Sequence, residues 1–116
     1  MARRPPQPAA LGEAALHVLL ALADGPRHGY AIMQTVAAES GGGVRLGPTT
    51  LYRTLRTLHE AGLVAEVPHD DPGDDARRRY YDITDDGRAA AREQLRRLQR
   101  LIDTARAKPR LHPDPA

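Results

Sequence analysis

The chain is 116 residues long, with 17 Lys+Arg against 15 Asp+Glu, a formal net charge of +2 and 41% hydrophobic residues. That is one folding unit's worth, too short for two independent cores. Its aromatic residues are four tyrosines with no Phe or Trp, so the core must be aliphatic; cysteine is absent, which excludes disulfides, thiolate zinc sites and cysteine nucleophiles and suits a cytoplasmic location.

Residues 1–8, MARRPPQP, predict a disordered arm, because three prolines among polar residues do not build a helix. From Ala9 to about Ala23 the apolar positions Leu11, Ala15, Leu16, Leu19, Leu20 and Leu22 fall at helical spacings, and DGPRHG closes the segment with a Gly-Pro breaker. The run AALHVLLALA, preceded by Arg3 and Arg4, loosely imitates a signal peptide. Glu13 and His17 interrupt it, however, and it is too short to span a membrane. A second helix follows through HGYAIMQTVAAES, with Tyr30, Met33, Val36 and Ala37 on one side, and Gly41 to Gly43 stop it.

The third helix is LGPTTLYRTLRTLHEAGLV, Leu46 to Val64, with Pro48 at its start and Gly62 at its stop. Leu51, Leu55 and Leu58 line one face with Tyr52 beside them, and Thr50, Arg53, Thr54, Arg56 and Thr57 occupy the other. The period then changes from 3.6 to 2: LVAEVPH and RRYYDIT read as two strands of a hairpin, joined by DDPGDDARR with Pro72 and Gly73 at its turn. A last helix opens with Thr84 as N-cap and Asp85 and Asp86 in the first turn, and runs to about Ala107.

The predicted fold is mostly α with a small β-hairpin, in the order α-α-α-β-β-α. This is a winged helix-turn-helix over residues 9–84, a dimerisation helix over 85–107 and a flexible tail over 108–116. In that arrangement the third helix buries its leucines and turns its other face toward a major groove about 12 Å wide. Threonine offers a hydroxyl to phosphate or base edges and a methyl to thymine, and arginine bridges guanine O6 and N7 or anchors a phosphate. No carboxylate appears on this helix before Glu60. Any amphipathic surface helix carries polar residues; the hairpin behind this one is what makes it a reading helix. Lys108 is the lone lysine, every other basic residue being arginine, whose planar fork suits phosphate.

Three stretches, ALHVLLALADGPRHGYAIMQTV, GPTTLYRTLRTLHEAGLV and RRRYYDITDDGRAA, together resemble the successive signatures of PadR-type transcriptional regulators, over about Leu11 to Ala91. The resemblance implies a DNA-binding repressor whose last helix builds a homodimer, with relief of repression by a small molecule in some members. Carried over by position, Thr49, Thr50, Tyr52 and Arg53 sit where the family's reading helix meets DNA. Arg77, Arg78 and Arg79 sit at the return strand of the wing, and Gly29 and Tyr30 match the H-G-Y element that opens helix two. With Thr54, Arg56 and Thr57 these form the expected DNA-binding set. For Tyr30 and Tyr52 the expectation is a ring packed in the core with its hydroxyl reaching a phosphate.

In the wing, Asp70, Asp71, Asp74 and Asp75 outnumber the arginines, so only its basic stem is expected to touch phosphate. HDDPGDD lacks the spaced ligands and terminal glutamate of a calcium loop, so neither a metal nor any cofactor is expected. On the last helix Ala91, Leu95, Leu98, Ile102 and Ala105 step by four, three, four and three; Leu101 widens this stripe and Leu11 is expected to join it at a homodimer interface. The alternative is packing on the first helix of the same chain. Arg88, Arg92, Arg96 and Arg100 recur every fourth residue with little acid beside them, a solvated face or a surface for an acidic partner. An effector pocket would lie between helices one and four of two chains, without a Trp or Phe platform.

The reading is therefore a sequence-specific transcriptional regulator: a homodimeric repressor on a pseudo-palindromic operator, with double-stranded DNA and its own copy as partners. The alternative is a winged-helix protein adaptor without specific DNA binding, acting through Arg92 and Arg96. An enzyme finds no support, since His17, His28 and His59 have no nucleophile beside them and GGG lacks the Lys and Ser/Thr of a phosphate loop.

Overall fold

A computed structural model describes residues 11–69 and 78–112. The predicted N-terminal arm, the acidic wing loop with Arg77, and the end of the tail lie outside the described residues. The elements are α1 (Glu13–Leu22), β1 (Arg27–His28), α2 (Gly29–Glu39), α3 (Pro48–Glu60), β2 (Val64–Val67), β3 (Tyr80–Ile83) and α4 (Asp85–Arg106), followed by a 3-10 turn at Pro109–Leu111. This is the winged helix-turn-helix expected, with one addition. The sheet has three antiparallel strands in the order β1-β3-β2.

The added strand, β1, pairs Arg27 with Tyr81 and His28 with Tyr80. In the sequence DGPRHG shows only as a breaker, because two residues are too few to display an alternating period. The same segment closes α1: Arg27 Nε donates to the Ala21 carbonyl at 2.7 Å, satisfying one of the carbonyls a helix end leaves open. His28 in turn caps α2, its Nδ1 accepting the Ala31 amide at 3.2 Å. The first helix begins later than its apolar pattern suggests, since Gly12 is extended with φ −65° and ψ 166°; Leu11 therefore precedes the helix and packs half-buried against the core.

α3 ends in a Schellman motif. Gly62 takes φ +76°, its amide bonds the His59 carbonyl at 3.0 Å, and the Leu63 amide bonds the Leu58 carbonyl at 2.9 Å. This turns the chain directly into β2. At the other end of the hairpin Thr84 caps α4 as expected, accepting the Gly87 amide at 3.0 Å while its hydroxyl donates to the Gly62 carbonyl at 2.7 Å. One threonine thus ties the start of α4 to the end of α3.

The core is aliphatic: Leu16, Val18, Leu19 and Leu22 of α1, Ile32 and Val36 of α2, Leu51, Leu55 and Leu58 of α3, with Leu63, Val64 and Ile83 from the sheet side; among the described residues it holds no buried polar or charged side chain. α4 packs part of its apolar stripe on its own chain, as the alternative reading expects. Ala91 is buried and Leu98 half-buried against the core, with the helix lying on α1. Leu95, between these two, is 40% exposed, and farther along Ile102 is 45% and Leu101 64% exposed, so the stripe is only partly covered in a single chain. Ala105 is half-buried.

Candidate nucleic-acid interface

α3 has two faces of different chemistry. Leu51, Leu55 and Leu58 are sealed in the core, while Thr49, Thr50, Tyr52, Arg53, Arg56 and Thr57 are exposed and Thr54 is half-buried. From Leu46 to His59 the sequence contains no acid, so this face carries hydroxyls and guanidinium groups until Glu60 at its C-terminal end. Two of its threonines differ from expectation. Thr54 donates its hydroxyl to the Thr50 carbonyl at 2.8 Å and Thr57 to the Arg53 carbonyl at 3.1 Å. Their protons are engaged within the helix, which leaves oxygen lone pairs and a methyl group to face outward.

The two tyrosines expected to bury their rings are both exposed, Tyr30 at 59% and Tyr52 at 51%. The leucines of α3 already fill the core, and Tyr52, one residue on from Leu51, falls at the edge of the buried face. Its hydroxyl is tucked against the start of α2, where a Cβ on Gly29 would come within 2.5 Å of it and 3.0 Å of Cζ. Only glycine admits the phenol there. This gives a physical reason for the Gly29 of the H-G-Y element, independent of backbone conformation.

Between α2, α3 and the sheet lies a cleft of about 450 Å³, lined by His28, Gly29, Tyr30, Tyr52, Arg78, Arg79 and Tyr81. It brings together the expected Tyr30, Tyr52, Arg78 and Arg79 from three separate stretches of sequence. Tyr52 also borders a neighbouring groove with Arg56, His59 and Glu66, and a shallower one along Pro48, Thr49 and Arg53. The three depressions share Tyr52 and together make a trough around α3.

Sequence reading missed three members of this trough. Tyr81 faces the cleft because it alternates with Tyr80, which turns inward and packs edge-on to His28 at 5.3 Å and face-on to His69 at 3.5 Å. Burial is the main cause that raises the Tyr81 phenol above its ordinary range; Glu66 adds to the effect, and Arg79, which hydrogen-bonds the phenol, opposes it. The phenol therefore stays a neutral donor. Glu66 itself pairs with Arg79, Nε to Oε1 at 3.9 Å, and both groups remain well exposed. His28 lines the cleft beside Arg78, whose Nη1 lies 3.1 Å from its Nε2. Strand alternation alone could have flagged Tyr81, whereas His28 and Glu66 become visible only once the strands are paired.

The arginine row of α4 is balanced at two of its four members, Arg88 and Arg96, because an acid sits three residues upstream of each. Arg88 pairs with Asp85, and Glu93 takes both Arg96 at 2.8 Å and Arg97 at 3.6 Å. Among the described residues no helix is long and apolar enough to cross a membrane.

Comparison with known proteins follows the same lines. The family described as "Transcriptional regulator PadR-like family" matches residues 18–93. A transcriptional regulator of Mycobacterium tuberculosis is 38% identical over 86 residues, covering 74% of this chain and 76% of that protein. An uncharacterized 37.1 kDa protein in a transposon of Streptomyces fradiae is 40% identical over 89 residues, covering 77% of this chain; the chain spans only 24% of that protein's length. Among solved structures, that of Bacillus subtilis PadR in complex with operator DNA superposes with a TM-score of 0.61 at 22% identity, over 70% of this chain and 45% of that one, which shows a shared fold. The matched segment runs from within α1 to the first turns of α4 and contains the whole trough around α3; the chain belongs to the PadR-like family of transcriptional regulators.

Proposed function

We propose that the chain is a homodimeric repressor that reads a pseudo-palindromic operator with α3. The observation that carries this is the face of α3, free of acid until Glu60 at its end, exposed opposite three sealed leucines and flanked by the cleft of Tyr30, Tyr52, Arg78 and Arg79. The shared fold of a PadR bound to operator DNA supports it. α3 enters the major groove; Arg53 and Arg56 reach guanine edges or phosphate, and the outward methyls of Thr54 and Thr57 meet thymine. The cleft receives the sugar-phosphate backbone beside the groove, with phenol and guanidinium donors converging on it.

Dimerisation uses the exposed Leu95, Leu101 and Ile102 of α4 with the half-buried Ala105, joined by the half-buried Leu11. A two-fold pair of this kind places two reading helices about one helical turn of DNA apart, roughly 34 Å, and so selects an inverted repeat. Repression then follows from occupancy of a site that overlaps a promoter. Relief by a small molecule would act at the seam between α1 and α4 of the two chains, which a single chain does not build.

The test is Arg53→Ala on a selected operator. A loss of about 1–3 kcal/mol in affinity, with relaxed preference at the contacted base pair, is the expected result. Unchanged affinity and unchanged preference would remove α3 from the reading role.

A further inference from the structure

The positive charge of this chain does not sit where its reading helix is. Residues 88–110 carry eight basic side chains against Glu93 and Asp103, a formal charge of +6, while the whole chain carries +2; the remaining residues therefore sum to −4. The winged part, residues 9–84, carries seven arginines against ten acids, a formal charge of −3, and is repelled as a whole by a polyanion. Arg53 and Arg56 attract phosphate at contact distance, but at separations comparable to the screening length, about 8–10 Å in physiological salt, summed charge decides the approach.

On α4, Arg92, Arg96 and Arg100 recur every fourth residue, about 6 Å apart along the helix axis, and all three are exposed. Glu93 engages Arg96 and Arg97. Arg92 and Arg100 form no ion pair among the described residues. The side chains sharing this face include Ala89, Glu93, Gln99 and Asp103, the last two bonded to each other at 2.9 Å. The face offers no aromatic or large apolar anchor. Protein–protein interfaces centre on such anchors, whereas duplex interfaces are polar and strongly basic. An arginine-only row without an anchor fits a phosphate backbone better than a folded acidic protein.

We propose that the arginine face of α4, Arg92, Arg96 and Arg100, is a second duplex-binding surface that contacts phosphates outside the footprint of α3 and supplies the long-range attraction the winged part lacks. The inference rests on the DNA-binding reading above and adds a division of labour to it. α3 reads sequence, and the α4 face supplies sequence-independent affinity and speed.

The experiment compares the full chain with the triple variant Arg92→Gln, Arg96→Gln, Arg100→Gln. Each is measured on a selected minimal operator and on the same operator extended by about 10 base pairs at each end, across a salt series. On the extended duplex the triple variant should lower the slope of log affinity against log salt by about 5 per dimer, at roughly 0.9 for each phosphate that is no longer neutralised by either protomer. It should also slow association by about tenfold or more, with the ranking of operator sequences unchanged. Slope and rate equal to those of the unaltered chain on both duplexes would overturn the proposal. Solution mass and thermal unfolding check that the triple variant keeps its assembly. If it does not, Arg92→Gln and Arg100→Gln singly should each lower the slope by about two per dimer, and two unchanged slopes overturn the proposal equally. If the unaltered chain binds no duplex in a salt-dependent manner, the DNA-binding reading fails first. Tighter binding of poly-glutamate than of duplex, abolished in the triple variant, overturns the proposal in favour of an acidic protein partner.

Discussion

Single residues around α3 act through one another. Tyr52 reaches the start of α2 because residue 29 has no side chain, and Gly29→Ala would drive its Cβ into the phenol. The phenol would have to swing out of the cleft, so this variant should weaken duplex binding several-fold, on the order of 1 kcal/mol, the scale of one hydrogen bond, with Tyr52→Phe losing a similar amount. Equal binding by both variants and the unaltered chain would detach this tyrosine from the interface. Glu66 acts in the opposite sense: it is a carboxylate in the trough, paired with Arg79 and adding to the upward shift of the Tyr81 phenol. Glu66→Gln should tighten duplex binding by about 0.5–1 kcal/mol at low salt, measured by titration, because a repulsive charge is removed and Arg79 is freed toward phosphate. The Tyr81 phenol has a folded value above its ordinary one, so its neutral form is favoured by the fold. That contribution is complete below the ordinary phenol range and is lost as the pH rises through the raised value, which a spectroscopic titration of the tyrosines would follow. None of these couplings is visible in a linear pattern. A tyrosine at the edge of a buried face fits inside or outside equally well by periodicity, and the rings of Tyr30 and Tyr52 proved to be outside.

Secondary-structure elements were legible where punctuation and period agreed. Pro48 and Gly62 bracketed α3, glycines after Ser40 closed α2, and Thr84 with two aspartates opened α4, because each of these residues performs a backbone task that few others perform. The early part of the chain was less legible: Leu11 looks helical by spacing, yet the extended Gly12 separates it from α1. β1 escaped because two residues have no period, and its existence depends on β3 arriving from far downstream, as in the His28 and Tyr80 pair. Thr84 carries the most testable element-level role. Thr84→Ala would remove the bond from the Gly87 amide and the bond to the Gly62 carbonyl, costing about 1–2 kcal/mol in stability by chemical denaturation. Thr84→Ser, which keeps the hydroxyl, should recover most of that loss.

At the scale of the molecule, two properties of α4 set behaviour that the winged part alone would not have. Ala91 and Leu98 pack on the core, while Leu95, Leu101 and Ile102 are exposed. The double change Leu101→Glu and Ile102→Glu should convert a dimer to a monomer by solution mass while leaving the aliphatic core untouched, since neither residue is buried in the chain itself. The monomer should bind a half-site weakly and lose its preference for an inverted repeat. The heptad-like stripe was readable from sequence, but how far the chain's own α1 covers it was not, because that depends on the angle at which α4 leaves Thr84. The most direct measurement of the central claim is selection of bound fragments from a random duplex library by the purified chain at two salt concentrations, with its solution mass recorded alongside. An inverted repeat with half-sites about one helical turn apart, bound by a dimer, is the predicted result. Weak binding without sequence preference, vanishing as salt is raised, would contradict it.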